Sequence, residues 1–439
     1  MGTMGMSRSW CVGSLTPMRA RAWVLACVAL ATGACIGGLG NSTGTGTNTN
    51  TNTNTNTNTN TNTSTSTSTS TSTGTNTSET GGEPGYCNSE IGLVQALTVC
   101  SGGEPCTELS GLEGDEVATM PSKIPTCATK NESRPVFEDG PVKSAVGIDG
   151  TTRYACEYRP PGTSMGSKRP LVIWLHGAFG TADNVYNATS IRSKAESFDL
   201  SGDAMRPGFI LVSVQGRNLR WPTEDPRDGS HHDIYHRDLG APSQNPDIAN
   251  IDRIIDELVA EGVVDKDAIY LMGWSNGGFF SQLYAIARHE TETPGGNRVA
   301  AAAVYTAADP FHNTSDAQQP SCRLDPYPTS SVPMYLISRA CDIITCSEEQ
   351  AAKFRDAGKS IPPGAIVDTW INDLQSRVGI TASRRIVDGA GVSVDSCTSA
   401  AFCLYTLALV NHSRWPDGVD DKSGTDYELE MLAFLRDNG

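Results

Sequence analysis

The pattern Gly-x-Ser-x-Gly occurs three times in this chain, at Gly40–Gly44, Gly162–Gly166 and Gly273–Gly277. It can hold a serine on a sharp turn between a strand and a helix, where the hydroxyl stands above the sheet edge and can attack a carbonyl. With 44 glycines among 439 residues, a match alone decides nothing, so the flanks must. The first copy lies in a run of small polar residues, and the second in a loop ahead of a strand with no helix after it. Only the third has a strand-like run before it, Ala268–Met272, and a helical stretch after it, from about Gly277 to Arg288. Ser275 is the expected nucleophile.

A serine hydroxyl is a poor nucleophile until a positioned base takes its proton. Of the seven histidines, His412 is the expected base. It stands two residues past the apolar run Leu404–Val410, expected to be a strand, which would put it on a loop at the carboxyl edge of the sheet beside Ser275. Asp342 follows the run Pro333–Ser338 by four residues at that edge and is the favoured acid. Asp309, after Val299–Tyr305, competes with it; the order Ser, Asp, His suits both. Acyl transfer also needs hydrogen-bond donors for the oxyanion. These are expected from the backbone of Asn276 and from the turn His176-Gly-Ala-Phe-Gly180, with Ala178 chosen and Phe179 as the alternate. His176 reads as a structural hydrogen-bonding residue of that turn.

Residues Trp221 to Leu239 carry His231, His232, Asp233 and His236. His232 and His236 at i, i+4 would suit a metal on a helix, but the Pro, Asp and Gly content argues for a loop over the cleft, and no metal or cofactor is expected. Trp221, Trp274 and Trp415 are candidates to line an apolar or sugar-binding cleft. Packing beneath the serine turn is the other reading of Trp274.

The elements that must position these residues begin near Asp139. Buried-type runs at Pro170–Leu175 and Phe209–Val214 read as strands. Asn245 can cap a helix with Pro246 at its first position, and Ile251, Ile254, Ile255, Leu258 and Val259 follow at helical spacing. Strands then alternate with helices to the end, where Thr425-Asp-Tyr-Glu428 reads as a capping box. Alternation of this kind implies a mostly parallel sheet with helices on both faces.

The amino-terminal part carries no such pattern. Arg19 and Arg21 precede an 11-residue apolar run, Ala22–Thr32, and then Gly33, Ala34 and Cys35. A charged flank, a short apolar core and small residues form an export signal, expected over 1–34; Met18 would serve as its start equally well. Thr43 to Thr77 has Thr at every odd position with only Gly, Asn or Ser between. With nothing apolar to bury, residues 35–80 are expected to be a disordered tether, spanning about 35 Å by flexible-chain scaling. Ten cysteines remain beyond Cys35, an even number that in an exported chain suggests disulfides. Cys87, Cys100, Cys106 and Cys127 would staple a small segment, 81–138, ahead of a catalytic domain at 139–439. Cys341 with Cys346 and Cys397 with Cys403 are the nearest pairs in sequence. The balance of 33 basic and 49 acidic side chains, net −16, lacks the basic footprint of a nucleic-acid binder. The chain has no run of about 20 apolar residues, the length that a membrane-spanning helix needs.

Taken together, Leu175-His-Gly177, Gly273-Trp-Ser-Asn-Gly-Gly278, the Asp after the Pro333 strand, and His412 with Trp415-Pro416 resemble the serine esterases of the α/β-hydrolase fold. The resemblance runs from about residue 145 to the end. It is nearest to the polyhydroxybutyrate depolymerase, feruloyl esterase and acetyl xylan esterase group, and Thr-Gly-Ala-Cys35 resembles a bacterial lipobox, in which the cysteine is lipidated. The resemblance implies an α/β-hydrolase fold and hydrolysis of carboxylic esters through Ser275, His412 and Asp342. It also implies an exported, monomeric protein whose partners are its ester substrate and, through a lipid on Cys35, a membrane. This chain has Val410-Asn411 where the group usually has a glycine run before the histidine, and Ser338-Arg-Ala-Cys-Asp342 in place of a His-Gly-x-x-Asp turn. A serine peptidase of the same fold and an inactive surface-binding lipoprotein are the alternatives.

Overall fold

The computed structural model describes residues 86–88 and 122–439, leaving out 141, 221–227, 235–240, 290–296, 312–322, 326–329, 346–347, 360, 362–364, 390–402 and 420–422. Contacts divide the chain into two units, Cys35–Glu83 and the remainder. The expected signal at 1–34, the tether at 35–80 with Cys35, and most of the segment at 81–138 lie outside the described residues. Among the described residues, no helix is long and apolar enough to cross a membrane.

Eight strands form one sheet: β1 (Lys143–Val146), β2 (Thr152–Tyr158), β3 (Arg169–Leu175), β4 (Ile210–Val214) and, after a hairpin of β5 (Arg217–Arg220) and β6 (Asp228–His231), β7 (Val264–Trp274), β8 (Ala301–Tyr305), β9 (Met334–Arg339) and β10 (Ala382–Val387). Their order is β1-β2-β4-β3-β7-β8-β9-β10. Only β2 runs against its neighbours β1 and β4; every other adjacent pair is parallel. All seven residues of β3 are buried, because a central parallel strand is covered on both faces and so reads as a continuous apolar run. Leu171, Ile173 and Leu175 point into one core with the helices α1 (Pro246–Glu261) and α2 (Asn276–Ala287). Val172 and Trp174 point into the other, with Ile191, Trp415 and Leu432.

Helix α1 begins as its sequence specifies. The Asn245 side chain accepts from the N–H groups of Asp247 (2.9 Å) and Ile248 (3.2 Å), Pro246 opens the first turn, and Gly262 closes the helix with φ 78°, where a side chain would be strained. Among the described residues, the other α-helices longer than one turn are α3 (Glu348–Asp356), α4 (Val367–Asp373), α5 (Tyr405–His412) and α6 (Tyr427–Asn438). Two elements depart from expectation. Leu404–Val410 is not a strand: residues 405–412 form α5, with Ala408, Leu409 and Asn411 buried. A short apolar run fits a strand and a buried helix equally. The last strand is instead β10, whose Ser383, Arg384 and Arg385 are exposed, as an edge strand permits. The cap of α6 is Asp426, which accepts from Glu428 and Leu429 N–H; Thr425 is not the cap, and Glu428 is turned into the core.

Two disulfides lie among the described residues, Cys127–Cys156 and Cys341–Cys403. Neither short-spacing expectation is met, since Cys341 and Cys403 bond to each other across 62 residues. Closing a loop of that size removes about 4 kcal/mol of unfolded-chain entropy. Residues 122–138, read from sequence as part of a separate segment, are fastened to the sheet. Cys127 is bonded to β2, and the Asp183 carboxylate accepts the Thr126 and Cys127 N–H groups at 2.9 and 2.7 Å. Arg134 is ion-paired with Asp417, and Asp139 with Arg192. The chain has the α/β-hydrolase fold, a mostly parallel sheet between two layers of helices.

Candidate active site

Ser275 is the residue between β7 and α2, with φ 52° and ψ −119°, a backbone conformation that L-residues hold only where the surroundings enforce it. The surroundings are backbone. The Ser275 N–H donates to the Tyr305 carbonyl of the adjacent strand (2.9 Å), and its carbonyl accepts from Phe279 N–H. A Cβ at Gly273 would lie 2.3 Å from the Gly277 carbonyl oxygen, and one at Gly277 would lie 2.2 Å from that of Leu175. Both glycines are therefore required for contact between chains. The decoy Ser164 sits in an exposed turn before β3.

His412 reaches this serine from the last turn of α5. Its Nε2 is 2.8 Å from Ser275 Oγ and its Nδ1 is 2.9 Å from Asp342 Oδ1. Asp342 is fully buried, and the same oxygen accepts the Ile344 N–H. The structure thus brings Ser275, His412 and Asp342 into one hydrogen-bonded chain, while Asp309 accepts the Phe311 N–H on its own turn. His412 is at a helix end rather than on a loop after a strand, and that end is held by side chains. The last carbonyls of a helix have no partner within it. Here the Asn411 carbonyl accepts from Tyr305 Oη (3.2 Å), that of His412 accepts from Trp274 Nε1 (2.9 Å), and Asn411 Nδ2 donates to the Cys341 carbonyl (2.5 Å).

The turn after β3 lies against the serine: a Cβ at Gly177 would be 3.4 Å from Ser275 Cβ. Phe179, at φ 62°, donates its N–H to the Ser230 carbonyl (2.6 Å), and Gly180 donates to Gly177. Ala178, just before them, stays out of those bonds. The hairpin β5–β6 is fixed to the serine turn as well, because the Asn276 carboxamide accepts from His232 N–H (2.7 Å) and donates to its carbonyl (3.1 Å). Residues Ser230 to His232 therefore touch both segments expected to supply oxyanion donors.

His231 and His232 are buried rather than exposed over a cleft. The His232 ring lies against His176 and Phe280. His176 accepts the Gly216 N–H at Nε2 (2.9 Å), and its Nδ1 is 2.7 Å from the Gly177 carbonyl, the structural role expected of it. Burial lowers His176 and His231 to about 4 and holds His232 well below the ordinary range, so all three are neutral at pH 7. Beside them Arg153 pairs with Asp149 and Asp247, and Arg217 with Asp233 and Asp247. Burial pushes Asp247 up, but Arg217 and Arg153 outweigh it and hold its carboxyl at about 2. Among the described residues, no group of three His, Cys, Asp or Glu side chains is placed to hold a metal ion.

The tryptophans divide. Trp221 and His236 lie outside the described residues. Trp274 is half-buried and packs on Trp415, with ring centroids 5.7 Å apart, and its Nε1 donates to the His412 carbonyl. Trp415 is fully buried among Trp174, Trp274 and Tyr305, with its Nε1 donating to Glu428; it is core, not a substrate surface. Sequence reasoning missed Tyr305, Asn411, the Asn276 side chain and the Cys341–Cys403 bond. The one available signal was the adjacency of Cys341 to Asp342.

No protein-family model matches the chain. It is 23% identical over 352 residues to NocK of Nocardia uniformis subsp. tsuyamanensis, a provisionally named esterase, covering 75% of this chain and 88% of that one. Over 123 residues it is 27% identical to feruloyl esterase B of Neurospora crassa, covering 28% of this chain and 35% of the relative. Among solved structures, the Bacillus cereus carboxylesterase is 14% identical with a TM-score of 0.31, covering 56% of this chain and 91% of that one. Both sequence relatives carry esterase names.

Proposed function

We propose that this protein is a serine hydrolase of carboxylic esters, with Ser275 as nucleophile, His412 as general base and Asp342 as the acid that orients it. The observation that carries the reading is the continuous pair of hydrogen bonds, Ser275 Oγ to His412 Nε2 and His412 Nδ1 to Asp342. In this reading Ser275 Oγ attacks the ester carbonyl as its proton passes to His412 Nε2, and Asp342 stabilises the imidazolium. The oxyanion is received by the N–H groups of Asn276 and Ala178; Phe179 is the weaker candidate because its N–H already donates to Ser230. The proton on His412 then goes to the departing alcohol, and a water deprotonated by His412 releases the acid and restores the serine.

The substrate class is esters of polyhydroxybutyrate-oligomer or feruloyl and acetyl-polysaccharide type, supported by the motif resemblance and by the esterase names of the sequence relatives. The cellular setting is export, with Cys35 lipidated and residues 35–80 as a tether, supported by the charged, apolar and small-residue pattern of 1–35. A fluorophosphonate should label the wild-type protein at Ser275, and Ser275→Ala should lose both the label and, by about 10⁵-fold, hydrolysis of p-nitrophenyl acetate. Activity at the wild-type level in that variant would sink the assignment. A panel of hydroxybutyrate oligomers, feruloyl esters and acetylated xylan then separates the substrates.

A further inference from the structure

Helix α5 has eight residues, too few to be stable in isolation, and it has no side-chain cap at its amino end. Yet its last residue is His412, which must be held to a fraction of an ångström if it is to serve Ser275. Beside the bonds from Trp274 and Tyr305, three ties that hold it converge on one dipeptide. Cys341 is disulfide-bonded to Cys403, two residues before the helix starts. The Cys341 carbonyl accepts from Asn411 Nδ2 in the last turn, and the next residue, Asp342, accepts from His412 itself. Cys341-Asp342 therefore grips both ends of α5, the amino end covalently and the carboxyl end by hydrogen bonds. Both residues are buried, Cys341 at 0% and Cys403 at 8% exposure.

We infer that the Cys341–Cys403 disulfide is the positioning cross-link of the acid–base pair, so that the site reaches working geometry only in an oxidised chain. The inference rests on the reading of Ser275, His412 and Asp342 as the reacting groups, and it adds a condition on when they can react. Forming the bond takes two electrons and two protons from the Cys341 and Cys403 thiols. They pass to an oxidant of the disulfide class, whose own S–S bond is broken to two thiols. The chain made in a reducing compartment is thereby inactive until thiol–disulfide exchange has taken place. The second disulfide, Cys127–Cys156, supplies the internal control. It fastens residues 122–139 to β2 and shares no hydrogen bond with Ser275, His412 or Asp342.

The test compares the oxidised wild type with Cys341→Ala/Cys403→Ala and with Cys127→Ala/Cys156→Ala, using p-nitrophenyl acetate turnover and the rate of fluorophosphonate labelling at Ser275. The first variant should lose about 100-fold in kcat and in labelling rate with KM within about threefold, the signature of a displaced catalytic group. The second should keep kcat within about threefold while its Tm falls, because a cross-link is lost from the unfolded chain. Native-like circular dichroism with unchanged kcat in the first variant would overturn the inference. Should that variant fail to fold, reduced wild-type protein is refolded in a glutathione buffer and quenched by alkylation at intervals. Activity must return with the Cys341–Cys403 peptide; its return before that bond forms would overturn the inference equally. Failure of the oxidised wild type to label at Ser275 would instead refute the proposed function.

Discussion

The two halves of the site are built by different means. On the serine side, strand β7, the turn at Ser275 and helix α2 are locked by backbone against backbone, with glycines where chains touch. On the acid–base side, Asp342 and His412 are held by side chains and one covalent bond: an indole, a phenol, a carboxamide and a disulfide. A site locked through its main chain tolerates little change in the residues that make the lock. A site locked through side chains should lose function in steps, each the size of one contact.

The sharpest way to break this contrast is Gly277→Ala. A single methyl would be driven to 2.2 Å from the Leu175 oxygen, and the expected result is no soluble folded domain, a destabilisation above about 4 kcal/mol. A cooperative melt near the wild-type temperature would remove the distinction. On the other side, Asp342→Asn should leave the fold intact and lower kcat by about 10³ to 10⁴, measured on p-nitrophenyl acetate, whereas Asp309→Asn should stay within about threefold. The reverse ranking would exchange the two acids.

Acid should act first on the serine side, where His176, His231 and His232 are buried and neutral. Their folded pKa values lie below the unfolded value, so the stability they contribute is present above about 6.5 and is lost as pH falls toward 4. His176 and His231, each at about 4, can each contribute on the order of 3 kcal/mol to that loss. Glu428 works in the opposite sense: burial raises it to about 7, partly offset by Lys194, so it favours the folded state less as pH rises from about 4.5 to 7. Urea unfolding at a series of pH values should show a steep acid limb that His232→Phe makes shallower; an unchanged limb would remove His232 from the account. The smallest expected effect is Trp274→Phe, which keeps a ring against Trp415 but loses the bond to the His412 carbonyl. Its stability should fall by about 1 kcal/mol and its kcat by no more than about tenfold. A loss as large as that of Asp342→Asn would show that this one bond, not the set, holds the histidine.

The same division explains what the sequence disclosed. The serine turn depends on short-range rules, a strand, two glycines and a helix, and these are written in consecutive residues. Asn245 with Pro246 is legible for the same reason. The acid–base side depends on partners far apart in the chain. Cys403 found Cys341 rather than the nearer Cys397, and no local pattern could have said so. Leu404–Val410 was apolar enough for a strand, and only its placement over one core makes it a helix. The true last strand, Ala382–Val387, carries Arg384 and Arg385 and so lacks the apolar run by which buried strands are found. Trp415 looked like a site residue because an aromatic near a candidate histidine can face either way; here it faces the core.

The attachment of residues 122–139 has a mechanical consequence. Tension applied at Cys127 is passed by the bond to Cys156 directly to β2. The edge strand β1, which lies between those cysteines in sequence, is bypassed and bears none of the load. Force applied there reaches a strand paired on both sides, with β1 and with β4, rather than the rim of the sheet.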